Sequence, residues 1–233
     1  MTFVQLIDCR TNRFDEVNRL MDKWVEQTKG KRTATHSLIG RDLSEEAHFV
    51  EIVEFPSYEE AMRNSNLPET ERIFREMVAL CDGMPTFTDL DVVRDEQLNR
   101  AAARAFFEDM GRVPPESLAA HLTDDYRDHD PANPGDMEGA ARMREEYASW
   151  RAAFTFAFRV DDQLAEADRV CTRWTWTGRH TGEFLGVPAT GQDVTMTGTT
   201  WHRFRDGRIC EGWWQYDRLG LMTQLGVLDP TEL

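Results

Sequence analysis

The chain has 233 residues, with 42 Asp or Glu against 27 Lys or Arg, a formal charge of −15 and a pI near 4.8. This acid excess disfavours phosphate backbones and anionic membrane surfaces, so neither nucleic acid nor membrane is an expected partner. A hydrophobic share of 40% together with 15 Gly is an ordinary globular composition and excludes wholesale disorder.

No apolar stretch approaches the roughly 20 residues of a membrane span. Asp8 and Arg10 come too early for a signal peptide. Cys9, Cys81, Cys171 and Cys210 are scattered, with no CxxC and no metal-ligand spacing. The expectation is a reduced, soluble, cytoplasmic protein with no metal site of recognisable spacing.

Residues 3–9 read as an apolar strand, and Phe14, Val17, Leu20, Met21, Trp24 and Val25 recur at helical spacing after it. Residues 33–40 and 47–55 are β-like runs separated by a polar turn. Pro56 ends the second, and Ser57 can cap a helix over 58–63. A further helix over 68–81 is broken by Asp82-Gly83-Met84-Pro85, and 87–93 forms the last strand of this half. The order β-α-β-β-α-β is the ferredoxin-like pattern, assigned to residues 1–95.

From Asp95 the character changes. Leu98, Ala101, Ala102, Ala105, Phe106 and Met110 mark a helix, and 116–122 a short second one. Residues 126–135 read as a loop punctuated by Pro131, Pro134 and Gly135, and 138–154 as a third helix. Runs over 154–160, 169–180, 194–204 and 208–216 then read as strands. Helices followed by long antiparallel strands make an α+β unit over 96–233.

The sharpest local signal is Asp206-Gly207 between two β-runs, a type I′ hairpin turn. Counting back through a regular ladder places Phe204 opposite Ile209 and His202 opposite Glu211. Alternation then puts Met196, Gly198, Thr200, His202 and Phe204 on one face with Glu211, Trp213, Gln215 and Asp217. A carboxylate beside an imidazole on a half-buried sheet holds one tautomer and raises its basicity, as a general base requires. Trp174, Trp176 and His180 share the face of another strand, so an aromatic-walled cavity or an ordinary core accounts for the indoles. His129 either points from its loop into that cavity or caps the turn made by Asp130-Pro131. The alternative for His202 is a core histidine satisfied by Glu211, and for Asp217 a helix cap.

Tyr126-Arg127-Asp128-His129-Asp130-Pro131, Gly135-Asp136-Met137-Glu138-Gly139, the run from Trp174 to Gly191, His202-Arg203-Phe204-Arg205-Asp206-Gly207-Arg208-Ile209, Tyr216-Asp217-Arg218-Leu219-Gly220-Leu221 and Gln224-Leu225-Gly226 resemble, in order, the SnoaL-like polyketide cyclases. These are a branch of the nuclear transport factor 2-like (NTF2-like) fold. The resemblance implies a cone-shaped sheet wrapped by helices. It also implies cofactor-independent acid/base chemistry, of cyclase, isomerase or dehydratase type, on a hydrophobic carbonyl compound.

Near the position where the family's characterised cyclases carry Asp, this chain has His202, a departure from the pattern. The reading makes His202 the base, Glu211 its orienting carboxylate, and Asp217 or His129 the acid. His180, Trp174, Trp176, Trp213 and Phe184 would line the substrate site. The first half is similar in element order to dimeric α+β barrels of the antibiotic biosynthesis monooxygenase group, which implies a homodimer. The alternatives are a non-catalytic ligand-binding or oligomerisation protein using the same pocket, or a cofactor-free oxygenase acting through the first half.

Overall fold

The computed structural model describes residues 2–94, 97–133 and 135–228. The expected junction at Asp95 and Glu96, and the turn residue Pro134, lie outside these. The chain divides into two compact units, residues 1–95 and 96–233.

The first unit runs β1 (Phe3–Arg10), α1 (Phe14–Gln27), β2 (His36–Arg41), β3 (His48–Phe55), α2 (Tyr58–Ser65), α3 (Pro68–Val78) and β4 (Thr86–Asp91). Its sheet has the order β2-β3-β1-β4, antiparallel throughout, so two split β-α-β units interleave. The local rules act as expected. Ser57 Oγ accepts from Glu60 N at the start of α2 (3.3 Å), and Pro68 opens α3, where its missing N–H costs nothing. Phe3, Val53 and Phe55 pack beneath the helices with Ala61. On the opposite face of the sheet Leu38 and Leu90 are exposed. His48 bridges Asp8 (2.8 Å) and Asp42 (3.0 Å).

The second unit runs α4 (Leu98–Asp109), α5 (Pro115–Ala119), β5 (Leu122–His129), β6 (Met137–Glu138), α6 (Ala140–Ala153), β7 (Phe154–Glu166), β8 (Arg169–His180), β9 (Asp193–Arg205), β10 (Arg208–Tyr216) and α7 (Arg218–Gln224). Its six-stranded sheet has the order β6-β5-β10-β9-β8-β7. The inner face carries Phe154, Phe156, Trp174, Trp176, Val194 and Met196, closed over by Phe106 and Phe107 of α4 and Tyr147 of α6. Burying so many rings against one sheet face is the main stabilising term of this unit.

Two departures from the sequence reading matter for the site. Residues 122–129 are a strand, not the start of a loop, and β5 pairs in parallel with β10. The Asp206-Gly207 turn is a hairpin turn with both residues at positive φ (52° and 75°), and Ile209 does face Phe204. The register then shifts between Ile209 and Glu211, so that Glu211 faces Arg203 and Gly212 faces His202. One extra residue, Cys210, is taken up as a β-bulge. Because side chains alternate with period two, every later residue of β10 exchanges faces. Among the described residues no helix is long and apolar enough to cross a membrane.

Candidate active site

The bulge turns Trp214 and Tyr216 inward and sends Glu211 and Trp213 outward. Pairing of Gly212 with Asp128 aligns β5, so that Tyr126 and Asp128 face inward (1% and 2% exposed). His129 faces outward with Glu211. The inner face then holds a narrow pocket with an envelope of about 500 Å³, mouth included. Trp174, Trp176, Trp214, Trp150, Phe156 and Phe158 wall it; Asp128, Asp130, Glu146 and Tyr216 supply its polar groups. A mostly apolar cavity with a few convergent polar groups is the common form of a small-molecule site.

The indoles can lie flat because glycines sit beneath them. A Cβ on Gly198 would meet Trp174 and the carbonyl of Gln215, and one on Gly178 would meet Trp176 alone. Trp174 Nε1 donates to Thr200 Oγ1 (2.8 Å), which satisfies the one polar atom of that wall.

Among the described residues no cation comes within salt-bridge distance of the three carboxyls, and that sets their chemistry. Burial raises the Asp128 pKa, and the negative charges of Glu146 and Asp130 raise it further, to about 8. Asp128 is therefore mostly a neutral acid at pH 7, although the Tyr126 hydroxyl beside it works against that shift, and among the described residues its buried Oδ1 has no partner in hydrogen-bond geometry. Burial and Asp130 likewise push Glu146 upward, against a bond from Asn133. Asp130 accepts from Tyr216 Oη (2.8 Å) and from Ala132 N (2.8 Å). Two carboxyls held in different environments on one pocket wall can divide the roles of acid and base.

The expected residues fall elsewhere. His202 is fully buried, but it is not beside Glu211 and does not line the pocket. Its ring packs against Phe106, Phe107 and Trp214 at 5.3–5.9 Å, and neither nitrogen has a partner. Burial lowers its pKa to about 3, so it stays neutral. The bulge is the reason its expected carboxylate is missing. Glu211 instead meets Arg203 and His129 Nε2 (2.8 Å) on the outer face. His129 also reaches Asp136 (2.9 Å) and stacks on Trp213 at 5.1 Å. Burial opposes its charged form, but the two carboxylates prevail and raise its pKa.

Asp217 caps α7, accepting from Gly220 N (2.8 Å), as the alternative reading had it. His180 is buried against Phe154, with Nδ1 accepting from Thr190 N (3.3 Å). Phe184 packs on Trp150 and Phe154, away from the pocket. Trp213 is on the wrong face. Of the nine residues singled out, Trp174 and Trp176 line the cavity. Histidines 129, 180 and 202 lie in separate surroundings and do not converge.

Asp128, Asp130, Glu146 and Tyr216 were missed. A signal for the first two was present: Tyr126, Asp128 and Asp130 alternate as one strand face does. Reading that stretch as a loop hid it.

This architecture, a curved, mostly antiparallel sheet closed by helices around an apolar pocket, is an NTF2-like α+β fold. The sequence matches the SnoaL-like polyketide cyclase profile over residues 98–225, which is more than half of the chain, and the chain belongs to that family. AclR from Streptomyces galilaeus, a proposed hydroxylase, is 29% identical with a TM-score of 0.51, covering 56% of this chain and 82% of its own. IdmH from Streptomyces antibioticus, a proposed polyketide cyclase, is 29% identical with a TM-score of 0.50, covering 57% of this chain and 100% of its own. A proposed SnoaL-like polyketide cyclase from Jannaschia sp. CCS1 has a TM-score of 0.53 at 24% identity, covering 60% and 99%, and supports the fold alone. Among curated proteins the search finds no match. The first unit lies outside the matched profile.

Proposed function

We propose that the second unit is an acid/base enzyme that closes a ring, or isomerises a double bond, in a neutral hydrophobic carbonyl compound. The observation that carries this reading is Asp128: a buried acid, mostly protonated at pH 7, whose Oδ1 is unpartnered at the wall of an indole-lined pocket. An unpaired buried polar group of this kind costs stability unless a ligand or water satisfies it. A substrate carbonyl oxygen is a fitting acceptor for its proton.

In the proposed reaction the Asp130 carboxylate removes a proton from the carbon next to that carbonyl. The C–H electron pair becomes the enol double bond, and Asp128 donates to the oxygen. The enol carbon then attacks a second carbonyl of the same molecule, whose oxygen takes the proton from Asp130, while the first carbonyl re-forms and returns its proton to Asp128. Product and substrate are isomers, so the step needs no redox partner. Tyr216 positions Asp130 through its 2.8 Å hydrogen bond. The Streptomyces cyclase and hydroxylase likenesses support a small-molecule substrate. A homodimer belongs to this reading, supported by Leu38 and Leu90 exposed on one face of the first sheet; sedimentation at a monomer's mass refutes it.

The test is deuterium uptake into 2-tetralone in D₂O, followed by NMR. The wild type should exceed buffer, and Asp130→Asn should lose roughly 10²–10⁴-fold. Uptake unchanged in Asp130→Asn removes the base. Binding without uptake by the wild type favours the ligand-binding alternative.

A further inference from the structure

A second cavity lies within the first unit. Helices α1 and α3 roof its sheet, and Trp24 Nε1 donates to Thr70 Oγ1 across the roof (3.0 Å). Between roof and sheet is a pocket whose envelope is about 920 Å³, mouth included. Protein interiors are close-packed, with few voids larger than a water molecule. Leaving this space open forgoes dispersion contacts that a small unit can ill spare. Its apolar lining includes Ile7, Val53, Ile73 and Phe74, with Met21 and Met77 on the helices.

One titratable group sits in the middle of that floor. Glu51 projects from the centre of β3 beside Val53 and Ile7. Ser37 Oγ donates to its Oε1 (2.8 Å), a single bond for a group with several acceptor sites. Burial pushes the Glu51 carboxyl upward, and the Ser37 bond offsets only part of that. The other polar side chains of the floor are already engaged. Gln5 Nε2 donates to Asp89 (2.8 Å), and Asn64 Oδ1 accepts from Thr33 N (3.4 Å). A carboxyl on an apolar floor is costly unless something uses it. Perturbed acids in clefts mark functional sites more often than chance would give.

We propose that the first unit holds a small-molecule site of its own, taking an uncharged, largely aromatic ligand whose hydroxyl or carbonyl group hydrogen-bonds to Glu51. The size suits a molecule of two or three rings. An anion is disfavoured by Glu51 and Glu71 in the lining and by the net charge of −15. This inference does not depend on the reading of the second unit, and one experiment separates them.

Full-length protein labelled with ¹³C at the methionine methyls is titrated with 2-naphthol, with signals assigned by single Met→Leu variants. Met21 and Met77 report on this pocket; Met110, Met143 and Met196 line the other. The expected result is saturable shifts of Met21 and Met77, weakened about five- to tenfold in Glu51→Leu. That variant should keep the wild-type melting temperature, since leucine suits the surroundings. Glu51→Gln retains a donor and should bind within about threefold of wild type. Still signals at Met21 and Met77 in millimolar 2-naphthol overturn the site, whatever the other three do. Equal affinity in Glu51→Leu and wild type overturns the role of Glu51.

Discussion

The two faces of strand β10 present the same residue types with opposite outcomes. Outside, Glu211 is matched by His129 and Arg203. Burial opposes its ionisation, yet those bonds prevail and hold its carboxyl below the usual range. Inside, Asp128, Asp130 and Glu146 share a pocket with no cation at salt-bridge distance among the described residues, and burial with mutual repulsion raises Asp128 to about 8. Matched charges near the surface stay charged and contribute little; an unmatched carboxyl as deeply buried as Asp128 becomes an acid that can donate a proton. The residue that sorts the carboxyls is Cys210, the bulge.

The most direct probe of this comparison is to delete Cys210. Without the extra residue, Ile209–Phe204 and Glu211–Arg203 become successive pairs of a regular ladder, so Glu211 stays outside while Trp214 and Tyr216 stay inside. We expect the second unit to keep its cooperative melt, followed by near-UV circular dichroism. A lost melt would show that the bulge does more than take up one residue.

The largest loss of stability is expected for Gly198→Ala. The added methyl meets the Gln215 carbonyl as well as Trp174, and backbone cannot step aside, so a loss of about 1–3 kcal/mol is expected in urea unfolding. Gly178→Ala meets only the Trp176 ring. It should cost less, and should weaken 2-naphthol shifts at Met110, Met143 and Met196 by tipping that indole into the pocket.

Acid and base titration sharpen the same contrast. His202 binds its proton near pH 3 when folded and near 6.5 when unfolded. Between those values the unfolded state holds more protons, so stability falls as pH drops from about 6.5 to 3. His202→Phe should flatten that limb of the stability profile. For Asp128 the folded pKa of about 8 exceeds the unfolded 3.8. The native state holds the extra proton in that window, so stability falls as pH rises from about 4 to 8. Asp128→Asn should remove that slope. A variant profile parallel to wild type in either window refutes the assignment.

The smallest effect belongs to the outer face. Glu211→Gln keeps one hydrogen bond and loses a partly exposed ion pair, for about 1 kcal/mol or less in thermal melts, and less again in high salt.

Much of this was legible without coordinates. The alternation of Trp174, Trp176 and Gly178 along β8, the Asp206-Gly207 turn, the Ser57 cap and the helical stripe from Phe14 to Trp24 are local patterns. Each is decided by neighbours in the chain, and each placed its element. What local pattern could not settle was which way β10 faces beyond Ile209. Cys210 is an unremarkable residue in a strand-like run, and nothing adjacent marks it as unpaired. A bulge forms because three strands, β5, β9 and β10, must bring their apolar sides to one core, and β5 is distant in sequence and was not recognised as a strand. The sequence by itself determined the elements, their order and the aromatic wall. Only the tertiary structure decided which carboxyls the wall encloses, because burial and the pairing of distant strands set both the direction and the protonation of those side chains.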